Sequence, residues 1–335
     1  LKSASRPALS SGSPCIRDRS LVTCMALRLR VLTWNTLAPV YFRRSGRASS
    51  RDVEASYEDL CRARCQRICS AIAAQAADII CLQEHWFDSG HVAAYEAFAA
   101  ANGYHYESLR RSGANWQGRS EDGVAVLVRQ ASLTVERRHD VLFREYGIPQ
   151  DRVALILQMK GVDASLDSSS SVPNSGRSCA VLCTHLTYPH SDYDESCREA
   201  QVQACISAAH AFLPEDMPVV IAGDLNGPSD DSVGHLLREA RFENVWDTLH
   251  GRRCHATHID HRGKSFASDH VWTRGLASPL RINLLPQGAS DMDGLARPEL
   301  GAAGNCPETP QTLYDWCQLS DHRPVVADIM ICHDG

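Results

Sequence analysis

The stretch "VVIAGDLNGPSDDS" (residues 219–232) begins as a continuous apolar run of the kind that fills a sheet interior, then breaks at Asp224 and Asn226. A comparable break follows "IICLQ", where the lone carboxylate of Glu84 must leave the core at once or be paired, because burying an uncompensated charge is costly. Side chains alternate along a strand, which sends positions 224 and 226 to one face about 7 Å apart, within reach of a single site. The alternative reading is turn chemistry, since "NGP" follows and Asn and Asp serve turns well.

The same pattern recurs along the chain. Short apolar or alternating runs predict strands at 27–35 (LRLRVLTWN), 78–84 (DIICLQE), 123–129 (GVAVLVR), 152–159 (RVALILQM), 179–186 (CAVLCTHL), 218–226, 269–274 (DHVWTR) and 324–331 (PVVADIMI). Helical patterns cover 56–76, with Ser56 as a cap, and 91–101, 195–213 and 232–240. Strands alternate with helices in places and follow each other directly elsewhere, so one α/β domain with mixed sheets is expected. The Ser-rich segment 162–178 and the Gly/Pro-punctuated stretch 285–318 interrupt it, and no internal repeat is visible.

What ends the runs is informative. Asn35 closes the first, Glu84 the second, His185 lies near the end of another, Asp224 and Asn226 close the quoted stretch, and Asp321 and His322 stand just before the last. Rigid strands present groups at their ends while the adjoining loops leave room for a ligand. Glu84, Asp224, Asn35 and Asn226 offer carboxylate and amide oxygens, the hard donors that Mg²⁺ accepts while keeping several waters. Taken singly, Asn35 reads as a strand-end turn residue and His185 as a hydrogen-bonded core histidine; their joint occurrence is what points to a site.

The 335 residues carry a net charge of −6, with 44% hydrophobic and 22% charged residues, a globular composition. No long Lys/Arg block advertises clamping of nucleic acid by summed charge. The 14 cysteines lie in apolar runs or at helical spacing, as at Cys61, Cys65 and Cys69, and are expected to be reduced core residues. A metal or redox cluster on that ladder is disfavoured because no partner His or CxxC pair stands beside it in sequence. No apolar stretch is long enough for a membrane span. Residues 1–24, rich in Ser and Arg, resemble an organelle transit segment or a stretch preceding the first methionine, Met25. The expectation is therefore a leader at 1–24, one domain at 25–335, and a cytoplasmic monomer, organellar if the leader is a transit segment.

"LTWNTLAP", "IICLQEHW", "EDGVAVLV", "CTHLTYPH", "IAGDLNGPSD", "ASDHVW" and "LSDHRPVVAD" together resemble, in order and over about residues 28–331, the endonuclease/exonuclease/phosphatase superfamily of metal-dependent phosphoesterases. "TWNTLAP" and "LQEHW" are most similar to its deadenylase-like branch and to plant and algal members with calcium-binding insertions. In this chain "ASDMDGLARPEL" has Ala289 at the first ligand position of a calcium loop and Leu300 where a bidentate Glu belongs, so calcium binding there is rejected. The resemblance implies a four-layered α/β sandwich, two mixed β-sheets flanked by helices, with the site at one sheet edge. It implies Glu84 as principal Mg²⁺ ligand (Mn²⁺ as substitute), with Asn35 and Asp321 on the metal side. It further implies Asp224 on the attacking water, Asn226 and His185 on the phosphate, and His322 on the scissile phosphate with Asp269 fixing its tautomer. His270 departs from the bulky or aromatic residue usual beside that Asp.

Metal-activated water attack fits these residue types, whereas no GxSxG or Walker loop supports a nucleophilic Ser or a nucleotide cradle. His255, His258 and His261 tempt a zinc reading but lack a closed ligand set. They read instead as a loop over the site, from which Arg262 or Lys264 touches substrate phosphate. Asn115, Trp116 and Arg119 lie on a Gly-rich loop where the aromatic can stack on a base, or simply flank a turn. RNA or another nucleotide is the leading substrate. The alternatives are an inositol-phosphate or sphingolipid phosphoesterase of the same fold, and a catalytically silent binding protein.

Overall fold

In a computed structural model, the structure describes residues 26–43, 52–111, 121–162, 178–251, 255–259, 265–287 and 313–332. In chain order the first elements are β1 (Leu27–Asn35), α1 (Glu58–Ala73), β2 (Ile79–Trp86), α2 (Ser89–Asn102), β3 (Tyr104–Arg110), β4 (Asp122–Arg129), β5 (Leu133–Leu142) and β6 (Val153–Gly161). Next come β7 (Ser178–His185), α3 (Asp192–Phe212), β8 (Val219–Asp224), α4 (Ser232–Glu239), β9 (Glu243–Asn244) and α5 (Val245–His250). The last are β10 (His258–Ile259), β11 (Ser265–Phe266), β12 (Asp269–Arg274), β13 (Ala277–Leu284), α6 (Leu313–Cys317) and β14 (Val325–Ile331).

Period-two alternation builds the layers. On β1, Leu29 and Val31 pack against β7 residues Cys179, Val181 and Cys183 between the sheets, while Leu32 and Trp34 face α1 and α2. On β7 the opposite face, Ala180 and Leu182, meets α3 through Val202, Cys205 and Ala209. Two six-stranded mixed sheets result, ordered β13-β14-β1-β2-β4-β3 and β5-β6-β7-β8-β12-β9, with the hairpin β10-β11 beside them. The order helix, sheet, sheet, helix is the expected four-layered sandwich. Gly223 is required where β8 lies on β7, because a Cβ there would stand 2.1 Å from the Thr184 carbonyl.

Several boundaries differ from the sequence expectation. Strands β3, β5 and β13 were not foreseen: all three are partly solvated edge or near-edge strands, and charges such as Glu136, Arg137 and Arg138 blur the apolar pattern of β5. Helix α1 starts at Glu58 with Tyr57 as N-cap and no side-chain cap bond, while Ser56 closes a preceding 3₁₀ turn. Helix α3 begins earlier than expected because Ser191 accepts from the Asp194 N–H. The ten cysteines among the described residues are free thiols, eight of them buried. No helix among the described residues is long and apolar enough to cross a membrane. Residues 163–177 and 288–312, including the rejected calcium loop, lie outside the described residues.

Candidate functional site

The alternation that fills the inter-sheet core also fills the site. On β7, β8 and β12 the residues facing the other sheet are Cys183, Ala222 and Val271. Two positions further along the same face stand His185 and Asp224, and two positions before Val271 stands Asp269. Asp224 pairs in register with both His185 and Asp269, so the three form a row across neighbouring strands. On the other sheet, Asn35 follows Val31 and Thr33 on the inter-sheet face of β1. The two sheets therefore present their polar ends to each other across one edge.

Glu84 reaches this edge by a different device. It does not close its strand, as the sequence suggested; β2 continues to Trp86. Regular alternation would send Glu84 to the helix side with Ile80 and Leu82. A bulge against β4 between Gln83 and His85, with Glu84 at φ 54°, turns it out instead and sends His85 to the helix layer. Asn226 is likewise not presented by strand alternation. Strand β8 ends at Asp224, and Asn226 stands at φ 55° in the following turn. There its N–H donates to Asp224 Oδ1 at 3.0 Å and its Nδ2 to the Leu186 carbonyl at 2.8 Å.

The Asn35 amide joins the two sheets. Its Nδ2 donates to Asp224 Oδ2 (3.0 Å) and Glu84 Oε1 (3.3 Å), and its Oδ1 receives the Leu37 N–H at 3.0 Å. Asn35 thus ties two carboxylates together through its nitrogen. Glu84 Oε2 also receives the Ala38 N–H at 2.8 Å. Burial, with Asp122 and Asp321 nearby, pushes Glu84 up to about 7. Burial and then Asp269 likewise raise Asp224 above the ordinary carboxylate range.

His322 Nδ1 lies 2.8 Å from Asp269 Oδ2, and its Nε2 lies 3.8 Å from Asp224 Oδ2. Burial opposes the imidazolium, but Asp269 and Asp224 outweigh it and lift His322 to about 10. Asp269 is itself held in place: Ser268 Oγ donates to its Oδ2 at 2.9 Å, and its own N–H donates to Thr257 Oγ1 at 3.1 Å. Trp34 Nε1 donates to the His322 carbonyl and Ser320 Oγ to the Asn35 carbonyl, fastening the loop before β14 to the end of β1.

One cleft of about 420 Å³ takes in Asn35, Glu84, His185, Asp224, Asn226, Asp321 and His322, with Asp269 behind His322. Arg262 and Lys264, expected near substrate phosphate, and Trp116 with its loop lie outside the described residues. Of the three histidines at 255–261, His255 stacks on Trp246 and His258 on His322 (ring centroids 4.0 Å apart), while His261 lies outside the described residues. The atoms of His258, Asp321 and His322 converge within 4.8 Å. His322 Nδ1 is already held by Asp269, so Nε2 is the ring nitrogen left to face a ligand. His270 turns away from the cleft and meets the Gly227 carbonyl at 2.8 Å, steadying the turn that carries Asn226.

Several members went unread in the sequence. Arg152 and Tyr41 line the cleft, and Tyr188 and His190 stand at it with ring centroids 4.6 Å apart. Arg64, fully buried, pairs with Glu54 at 2.6 Å and donates to the carbonyls of Thr36, Leu37 and Leu319, clamping both loops that deliver Asn35 and Asp321. Arg198 does the same for the third loop by donating to the Asn226 carbonyl at 2.9 Å. A basic residue on an amphipathic helix looks like a solvated one, so no local signal marks them. The Cys ladder also has a histidine neighbour after all: His91, brought over by α2, and Cys69 hydrogen-bond Cys65 and lower its pKa. That contact spans two helices and is invisible to spacing.

The chain is similar to known proteins over most of its length. An uncharacterized calcium-binding protein of Arabidopsis thaliana is 29% identical over 251 residues, which is 72% of this chain and 49% of that protein. The chain thus spans about half the length of that relative. Among solved structures, ANGEL2, a 2′,3′-cyclic phosphatase crystallised with adenosine-2′,3′-vanadate, superposes with a TM-score of 0.63 at 16% identity, covering 91% of this chain and 96% of that one. The human Nocturnin catalytic domain gives 0.57 at 19% identity, covering 90% and 93%. Those likenesses establish the fold, and the family model described as Endonuclease/Exonuclease/phosphatase matches residues 32–322, from the heart of β1 to His322. By that match, which takes in strands of both sheets and the row His185, Asp224 and Asp269, the chain belongs to the endonuclease/exonuclease/phosphatase family.

Proposed function

We propose that the protein is a divalent-metal-dependent phosphoesterase acting on RNA or another nucleotide, by attack of water on phosphorus. One observation carries this reading: a carboxylate from each sheet, half-buried Glu84 and buried Asp224, shares a single cleft with His322, whose Nδ1 lies 2.8 Å from Asp269. The cleft also contains Asp321, with His258 Nε2 3.6 Å from its Oδ2. The carboxyl of Glu84 is raised by burial and by its acidic neighbours, the condition a hard cation relieves, so Mg²⁺ or Mn²⁺ fits Glu84 and Asp321. Such an ion, when bound, supplies charge neutralisation for the phosphate oxygens and the leaving alkoxide.

The chain's own groups do the rest. Asp224 accepts the proton of the attacking water; its raised pKa makes it a better base than an ordinary carboxylate. His322, cationic at neutral pH, donates from Nε2 to a non-bridging phosphate oxygen. His185 and Asn226 line the same wall and bind further phosphate oxygens. Asn35 keeps Glu84 and Asp224 apart at fixed distance through its amide nitrogen. A nucleotide is favoured over an inositol phosphate or a sphingolipid because Tyr188 and His190 set aromatic rings at the cleft, on which a base can stack.

The experiment is a panel of oligo(A), a 2′,3′-cyclic nucleotide, abasic duplex DNA, inositol polyphosphates and sphingomyelin, each with Mg²⁺ and Mn²⁺, run on the wild type and on Glu84→Gln. Turnover of a nucleotide by the wild type alone is expected. Turnover confined to inositol phosphates or sphingomyelin would overturn the substrate class. No turnover of any ester, with no metal bound in titration, would mark a silent binding protein.

A further inference from the structure

Arg152, the residue before β6, lies in the cleft wall with its side chain 15% exposed. Its Nη1 stands 2.5 Å from His185 Nδ1. A guanidinium has five N–H donors, no acceptor, and stays protonated in proteins. The imidazole nitrogen facing it must therefore be the acceptor. A neutral imidazole that accepts at Nδ1 carries its proton on Nε2, and an imidazolium would set N–H against N–H. His185 Nε2 points to Asp224 Oδ2 at 3.3 Å, the oxygen that also faces His322 Nε2.

The ion-pair alternative for Arg152 is weak in this geometry. Asp122 is 4.0 Å from Arg152 but 3.3 Å from Arg111, so that carboxylate is shared and lies nearer the other arginine. The imidazole is much the closer partner. Burial, followed by Arg152 and Arg111, also holds His185 well below the usual histidine range.

We propose that Arg152 is a positioning residue that locks His185 as the neutral Nε2–H tautomer, so that the imidazole can donate to a non-bridging phosphate oxygen of the substrate. The two cleft histidines then present the same Nε2–H donor in opposite charge states. A carboxylate makes His322 a cation, and a guanidinium makes His185 neutral. A neutral donor adds no further cation beside Arg43, Arg152 and His322. This rests on the phosphoesterase reading for its purpose, but not for its measurement.

The test is long-range ¹H–¹⁵N imidazole spectroscopy of the full chain, with His185→Gln used to assign the resonance, beside turnover of bis(p-nitrophenyl) phosphate with Mn²⁺. In the wild type, His185 should show a protonated Nε2 and an unprotonated Nδ1 at pH 7. Arg152→Met should give a tautomer mixture and lower kcat by roughly 10–100-fold, with KM little changed. Arg152→Lys, which keeps a donor without an acceptor, should restore the single tautomer and most of the rate. A cationic or Nδ1–H His185 in the wild type overturns the proposal, as does an unchanged tautomer in Arg152→Met. If the Met variant does not fold, the wild-type and Lys spectra decide alone. A correct tautomer in a protein that hydrolyses no phosphoester would instead count against the proposed function.

Discussion

Asp269→Asn tests the electrostatics of the cleft with little change of shape. Asp269 is fully buried, and it is the first of the three carboxylates, before Asp224 and Asp321, that lift His322 from its ordinary 6.5 to about 10 against the cost of burial. A histidine raised in the folded state contributes stability that is complete below pH 6.5 and is lost as pH rises through about 10. Between those limits the folded chain holds one proton that the unfolded chain has released, and each pH unit removes about 1.4 kcal/mol. From pH 6.5 to 9 that amounts to roughly 3 kcal/mol. Asp269, with its own pKa depressed by His322 despite burial, contributes in the opposite sense: its share is present above the ordinary aspartate range and lost as pH falls through its lowered folded value.

The stability gap between wild type and Asp269→Asn should therefore be widest between about pH 4 and 6.5 and shrink on both sides. Urea unfolding followed by tryptophan fluorescence at half-unit steps from pH 3.5 to 9.5 measures it. The same variant should lose about 10²- to 10⁴-fold in kcat on a phosphodiester near neutral pH, because its His322 is no longer reliably cationic. A gap that stays constant from pH 6.5 to 9.5 would refute the charge assignment, whatever happens to turnover.

Three further outcomes follow from the same geometry. Because Glu84 is pushed up to about 7 by burial and then by Asp122 and Asp321, Mg²⁺ must displace a proton below that pH; calorimetric affinity should weaken about tenfold per unit under pH 7, and a flat profile would count against Glu84 as ligand. Arg64→Met leaves Glu54 buried and uncompensated and frees three carbonyls, so thermal or urea unfolding should register a loss of about 3–5 kcal/mol; under 1 kcal/mol would contradict the clamp. At Asn226, φ 55° favours glycine, so Asn226→Gly should be more stable than Asn226→Ala by about 1–2 kcal/mol while both bind substrate phosphate equally poorly, an ordering that equal melting points would overturn.

The legible and the illegible parts of this molecule divide by the range of the interaction that sets them. Strands β1, β7, β8, β12 and β14 were readable because burial writes itself on every second residue, and their edge is where the apolar face turns polar, at Asn35, His185, Asp224 and Asp269. Edge strands such as β5, wet on part of their surface, carry no such signature. Glu84 and Asn226 were identified as site residues, yet the way each arrives was missed, since left-handed backbone at a non-glycine residue leaves no trace in a hydropathy pattern. Arg64, Arg152 and Arg198 were missed altogether. Arg64 meets Leu319 across 255 residues of chain, Arg152 meets His185 across 33, and Arg198 meets Asn226 across 28. Those three arginines bridge the loops and strands that the readable residues stand on. A motif can therefore name the oxygens and imidazoles of the cleft, while their spacing and, at His185, their protonation depend on guanidinium groups that only the folded chain brings alongside.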